Sequence, residues 1–139
     1  MRVVLDTNIL LVSISERAKH HWVYRSLLYQ KYEMAISNNI LHEYEEKIGE
    51  HWNAEVAQMV IKTLLELPNV IPTLINFEFG LIYNDPDDNK FVDCAVAGNA
   101  KYLVSNDNDF SVLKKIKFPK IEVIKMEEFK EVLWNDKLS

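Results

Sequence analysis

Acidic residues dominate the positions in this chain whose chemistry and spacing could serve a reaction. Asp6 ends the apolar run RVVL and opens DTN, and Asp107 and Asp109 follow YLVS. From residue 85 to residue 93, in DPDDNKFVD, four aspartates share nine positions: Asp85, Asp87, Asp88 and Asp93. A further group, Glu43, Glu45 and Glu46, lies in SNNILHEYEEKI. Carboxylates gathered at one place cannot all stay ionised without a cation. An oxygen-only ligand set suits Mg²⁺ or Mn²⁺, held by a few carboxylates plus waters and substrate phosphates. Such an ion can orient a water, assist its deprotonation and stabilise a leaving oxygen. Metal-dependent phosphodiester hydrolysis is therefore the reaction this residue set could perform.

Local structure explains some of these acids without chemistry. Asp85 is well placed as a helix N-cap with Pro86 at the first helical position. Asp87 and Asp88 then fall in the first turn, where the helix dipole favours negative charge. At about 100° per residue, Asp88 shares a stripe with Phe91, Val92, Ala95 and Asn99, the face expected to pack on a sheet. Asp93 lies about 140° round from Asp88, which predicts a flank or surface position near Lys90 and Lys101. In the Glu-rich segment the apolar stripe is Ile40, Leu41, Tyr44 and Ile48. Glu43 and Glu45 flank it on opposite sides, and spacing does not choose between them.

The elements that must position these residues alternate between strand and helix. Strands are expected at RVVL, Glu33–Ile36, 101–105 and 122–124, with short extended pieces around Pro72. Helices are expected over residues 7–14, 20–30, from Ser37 as cap to a stop at Gly49, 53–66 behind an Asn53 cap, 86–100 and 127–134. Alternation of this kind implies an α/β/α sandwich around a mainly parallel sheet. Such sheets bind ligands outside the carboxyl ends of their strands, where Asp6 and Asp107 both fall. Trp134 is expected to close the core. Cys94 reads as a small buried hydrophobe. His20 and His21 point to different sides of a helix start, with Trp22 packed inward.

The 139 residues fit one domain, spanning 1–139. Hydrophobic residues make up 48% and charged residues 27%, as in ordinary globular proteins. No apolar run approaches the roughly 18 residues of a membrane span, and Asp6 interrupts the early apolar stretch where a signal peptide would not. One cysteine excludes an internal disulfide and a cysteine-based zinc site, in keeping with a reduced, cytoplasmic setting. A net charge of −5 argues against broad nucleic-acid binding through a basic surface. The charge is uneven: residues 43–93 hold eleven Asp/Glu against three Lys, whereas residues 101–139 hold eight Lys against seven Asp/Glu. Lys114, Lys115, Lys117 and Lys120 cluster in that basic end.

Taken in order, VVLDTNIL, SNNILHEYEE, DPDDNKFVDCAVAGNAKYLVSNDNDF and EVIKMEEF resemble the PIN-domain ribonucleases, specifically the toxin components of toxin–antitoxin pairs. The resemblance runs from Arg2 to about Leu133. It implies four catalytic, metal-holding acids: Asp6, Glu43, Asp88 and Asp107. Asn8 and Ser105 would position substrate or water, and Ser105 and Asn106 stand where the motif often has Thr and Gly. It further implies a Mg²⁺- or Mn²⁺-dependent endoribonuclease, often a homodimer, held in check by an antitoxin protein that lies across the early helices near Trp22 and Tyr24. Lys114, Lys115 and Lys117 would guide the RNA backbone. Two other readings compete. A non-catalytic RNA- or protein-binding module on the same fold predicts loss of one of the four acids, and all four are present. A phosphoaspartate enzyme favours a second Asp two residues after the first, where this chain has Asn8.

Overall fold

The computed structural model describes residues 1–82 and 85–138; Tyr83, Asn84 and Ser139 lie outside the described residues. The order of elements is β1 (Arg2–Leu5), α1 (Thr7–Leu11), α2 (Trp22–Leu28), β2 (Glu33–Ile36), α3 (Asn38–His51), α4 (Ala54–Glu66) and β3 (Val70–Pro72). A 3-10 turn (Pro86–Asp88) then leads into α5 (Asn89–Ala97), followed by β4 (Tyr102–Val104), a 3-10 helix (Asn108–Lys115), β5 (Val123–Ile124) and α6 (Met126–Leu138). Among the described residues the sheet has five strands in the order β3-β2-β1-β4-β5, and every pair is parallel. Helices flank it, giving the α/β/α sandwich that the alternation of strand and helix predicts. Among the described residues no helix is long and apolar enough to cross a membrane.

The strand order places the site. From β1 the chain steps outward to β2 and β3, then returns across the sheet to β4 and β5. The direction of winding reverses between β1 and β4, and at such a reversal the connecting loops diverge and leave a crevice at the carboxyl ends of the strands. β1 is the central strand, and Val3, Val4 and Leu5 are fully buried. Burying a side chain of this size stabilises the fold by about 1.5–3 kcal/mol, so the register that sets Asp6 at the strand end is strongly specified. The Asp6 amide donates to the Val104 carbonyl (3.0 Å), and the Ser105 amide to the Ile124 carbonyl (3.0 Å), which carries the ladder one residue beyond each strand.

α3 starts at Ser37, whose hydroxyl accepts from the Ile40 amide at 3.3 Å. Its buried stripe is Ile40, Tyr44 and Ile48, and the Tyr44 hydroxyl donates to the Leu5 carbonyl at 2.5 Å. That bond fastens α3 to the end of β1 one residue before Asp6. α5 packs across β1, β2 and β4 through Phe91, Val92, Cys94 and Ala95, all buried. α2 and α6 meet where Trp22 lies against Phe129 (ring centroids 5.7 Å apart).

Several expectations are corrected. Gly49 does not end α3; the helix continues to His51, and the chain turns at Trp52 ahead of the Asn53 cap on Val56 (2.9 Å). α1 stops at Leu11 rather than Ile14. The 86–100 helix divides into a 3-10 turn and α5. Trp134 does not close the core: it is 64% exposed, because the buried positions of α6 are Met126, Phe129 and Leu133 and Trp134 falls one residue off that stripe. Asp93 is not at the surface but buried, at 5% exposure. The segment before the 3-10 turn folds over α5, and the Phe79 amide donates to Asp93 Oδ1 at 3.0 Å. Lys90 pairs with Glu43 instead, and Lys101 sits over the Tyr102 ring.

Candidate active site

Two adjacent parallel strands deliver the first part of the site. Asp6 leaves β1 with its side chain turned away from capping: it makes no side-chain cap bond to α1. Its Oδ2 accepts instead from the Ser105 hydroxyl at 2.7 Å, at the end of β4. The same Ser105 oxygen accepts from the Asp107 amide at 3.0 Å. One buried hydroxyl thus ties the ends of both central strands together. Asp107 has a structural task as well, since its Oδ1 accepts from the Asp109 amide at 2.9 Å and caps the 3-10 helix. Asp6, Asn8, Asn106 and Asp107 line a cleft of about 260 Å³, closed on one side by Met126.

The amino end of α5 supplies the second part. Asp85 caps the 3-10 turn by accepting from the Asp87 amide (3.1 Å). Asp87 is exposed and Asp88 is buried, as the helical stripe predicts. Asp88 Oδ2 is buried and has no hydrogen-bond partner among the described residues. Burial pushes the Asp88 carboxyl up to about 7, and the charges of Asp85, Asp6, Asp107 and Asp109 push the same way. The Asp6 carboxyl is also raised. Burial is the main cause; the Ser105 hydroxyl and the Thr7 amide oppose it, and Asp107 and Glu43 add to it. Burial and neighbouring acids thus both disfavour the charged forms of Asp6 and Asp88, and a bound cation would offset this.

Glu43 comes from α3. Glu45 is exposed, whereas Glu43 reaches the first residue of α1. Glu43 Oε2 accepts from the Thr7 hydroxyl and Oε1 pairs with the Lys90 ammonium at 2.7 Å. Thr7 thus neither caps α1 through its side chain nor faces the cleft as a free hydroxyl. Glu43 and Lys90 line a larger hollow of about 620 Å³, together with Glu78, Asp87 and Asp93.

A PIN domain family model matches residues 2–109. The chain belongs to the PIN domain family. No sequence among the curated proteins matches it significantly. Among solved structures, the fold of this PIN domain is similar to a chain of VapBC2 from Rickettsia felis, bound to a DNA fragment from their promoter. That match has a TM-score of 0.62 at 22% identity and covers 90% of this chain and 98% of that one. VapBC-1 from nontypeable Haemophilus influenzae matches with a TM-score of 0.59 at 18% identity, over 91% and 99% of the two chains. FitAcB from Neisseria gonorrhoeae gives 0.56 at 14%, over 90% and 98%.

The residues expected from sequence occupy this PIN domain unevenly. The charge of Asp107 raises the cost of ionising both Asp6 and Asp88, Asp6 adds to that of Asp88, and Glu43 acts on Asp6. The most compact carboxylate group, however, is Asp85, Asp88 and Asp109, whose ligand oxygens all lie within 4.8 Å of one another. Asp85 and Asp109 were not among the expected metal-holding acids. Each reads locally as a helix-start residue and is one: Asp85 caps the 3-10 turn, and Asp109 lies in the first turn of the 3-10 helix. The signal available was the repeated acid in SNDND, which sets Asp109 two residues beyond Asp107. Asn8 is exposed at the cleft, and Ser105 is buried beneath Asp6. Lys114 and Lys115 form the last turn of the 3-10 helix that Asp107 caps, and with Lys117 they are exposed.

Proposed function

We propose that this PIN domain is a Mg²⁺- or Mn²⁺-dependent endoribonuclease and the toxin of a toxin–antitoxin pair. The observation that carries the reading is Asp88: a buried carboxylate with an oxygen left without a partner, surrounded by acids, at the point where the sheet reverses its winding. A buried acceptor left unpaired costs free energy in the folded state, and hard oxygens in this number are the donor set of Mg²⁺ or Mn²⁺.

Asp6, Asp88 and Asp107 would hold the metal, with Asp85 and Asp109 within reach of the same ion and Glu43 beside Asp6. The ion supplies Lewis acidity toward the phosphate, a lowered pKa for the attacking water and charge neutralisation on the leaving oxygen. The protein's part is orientation. Ser105 holds the Asp6 carboxylate in one rotamer by donating to Oδ2, and its burial keeps bulk water from that bond. The Asn8 amide, exposed in the cleft, can donate to a phosphate oxygen and accept from a water. Lys114, Lys115 and Lys117 offer exposed ammonium groups to the RNA backbone on the element that starts at Asp107. The partner is proposed as an antitoxin protein and the assembly as a homodimer. Both follow from the toxin-branch resemblance, and the likeness to VapBC2, VapBC-1 and FitAcB supports it.

The test is cleavage of structured RNAs, with a DNA arm, in Mg²⁺, Mn²⁺ or EDTA. Wild type is expected to cut RNA only with the ion, and Asp6→Asn and Asp88→Asn to cut at least about 100-fold more slowly. Cleavage that persists in EDTA, or in both variants, would contradict the assignment. Binding of RNA without any cleavage would favour the non-catalytic module.

A further inference from the structure

Lys90 lies two residues beyond Asp88 on α5, and its ammonium is 2.7 Å from Glu43 Oε1. The other Glu43 oxygen accepts from Thr7, so protein groups engage both. The two side chains of the pair are 19% and 21% exposed, too sheltered to be a solvent-diluted surface pair. Both border the same hollow, which gives an incoming ion access to them. Among the described residues this is the only ion pair made by any of Asp6, Glu43, Asp85, Asp88, Asp107 and Asp109. An ammonium and a divalent ion both seek a carboxylate oxygen, and here the ammonium is already seated.

We propose that Lys90 is a resident counter-ion that competes with the divalent metal for Glu43 and thereby sets the metal affinity of the centre. The inference rests on the metal-dependent reading above. With Lys90 seated, Glu43 is fastened to Thr7 and α5, and the acids around Asp6 carry one negative charge fewer. A neutral side chain at this position releases Oε1 and restores that charge. Lys90 is in this sense a positioning residue, acting through Glu43.

The experiment is calorimetric titration of Mn²⁺ into protein stripped of metal. Lys90→Met and the shorter, polar Lys90→Gln are expected to bind Mn²⁺ about tenfold more tightly than wild type. Lys90→Arg, which keeps the charge, is expected to stay within about twofold of wild type. In a Glu43→Gln background the gain from Lys90→Met shrinks, because the oxygen it would release is gone. An equal gain in both backgrounds overturns competition for Glu43. Unchanged or weaker Mn²⁺ binding by Lys90→Met and Lys90→Gln, with wild type binding the ion, overturns this proposal and leaves the functional reading standing. No Mn²⁺ binding by wild type or any variant overturns both.

Discussion

At Asp88 the chain accepts an ionisation cost in the fold. Its carboxyl is pushed up to about 7 from an ordinary 3.8. An acid raised on folding binds its proton more tightly in the folded state. Its contribution to stability is therefore complete below about pH 4 and is lost as pH rises through about 7. Metal-free protein is expected to melt at a lower temperature at pH 8 than at pH 5. Asp88→Asn should flatten that fall and melt higher than wild type at pH 8, read by thermal denaturation in EDTA. The slope should not vanish, because burial raises Asp6 as well. A wild type equally stable at both pH values would contradict this electrostatic account. Asp88 was legible in the sequence because one helical stripe carries it with Phe91, Val92 and Ala95. Asp93 was not, because its partner is a backbone amide at Phe79, fourteen residues earlier, and periodicity on one helix carries no information about a segment folded across it.

Between elements, stability depends on how closely α5 seats on the sheet. Gly98, just past α5, marks that approach. A Cβ there would stand 3.0 Å from both the Ala35 Cβ and the Cys94 carbonyl oxygen. Gly98→Ala should destabilise the protein by about 1–3 kcal/mol through overpacking, measured by urea denaturation. The carbonyl of Gly98 accepts from Arg2 at the amino end of β1 (2.8 Å), the end of the sheet opposite Asp6. Cleavage by the folded variant should therefore be unchanged. Wild-type stability in Gly98→Ala would show that the helix can shift away without cost. Strand positions and the Ser37 and Asn53 caps were readable because each is a local signal. The run through Gly49 was not, because a glycine ends a helix only where the following chain turns, and here that turn waits for Trp52. Glu43 was reached through the family resemblance, where helical spacing alone left Glu43 and Glu45 open; only the fold shows the contacts that engage it, from Thr7 of α1 and Lys90 of α5.

On the scale of the molecule, the proposed substrate is an anion while the protein carries a net charge of −5. The charge distribution resolves the conflict by position. Acids gather at the proposed metal site, and the 3-10 helix that begins at Asp107 ends at Lys114 and Lys115. At about 2 Å rise per residue, those lysines lie roughly 14 Å along the helix from the site, within reach of a strand that crosses it. Replacing Lys114, Lys115 and Lys117 by Ala should lower kcat/KM for RNA several-fold at low salt. The log–log salt slope should become shallower by about 2, with Mn²⁺ binding unaffected. An unchanged slope would place the RNA elsewhere. The uneven charge and the sheet class were both visible in the linear sequence. The compact Asp85–Asp88–Asp109 group was not, because two loops far apart in sequence meet only after the sheet reverses its winding.

The central claim is that these acids serve hydrolysis by water rather than attack by the RNA's own 2′-hydroxyl. End-group analysis of the first products formed in Mn²⁺ and ¹⁸O-labelled water tests it most directly. The account predicts one solvent oxygen at each new phosphate end, no 2′,3′-cyclic phosphate, at least about 100-fold less product from Asp88→Asn, and no product in EDTA. A 2′,3′-cyclic phosphate as the initial product, or unlabelled phosphate ends, would contradict it.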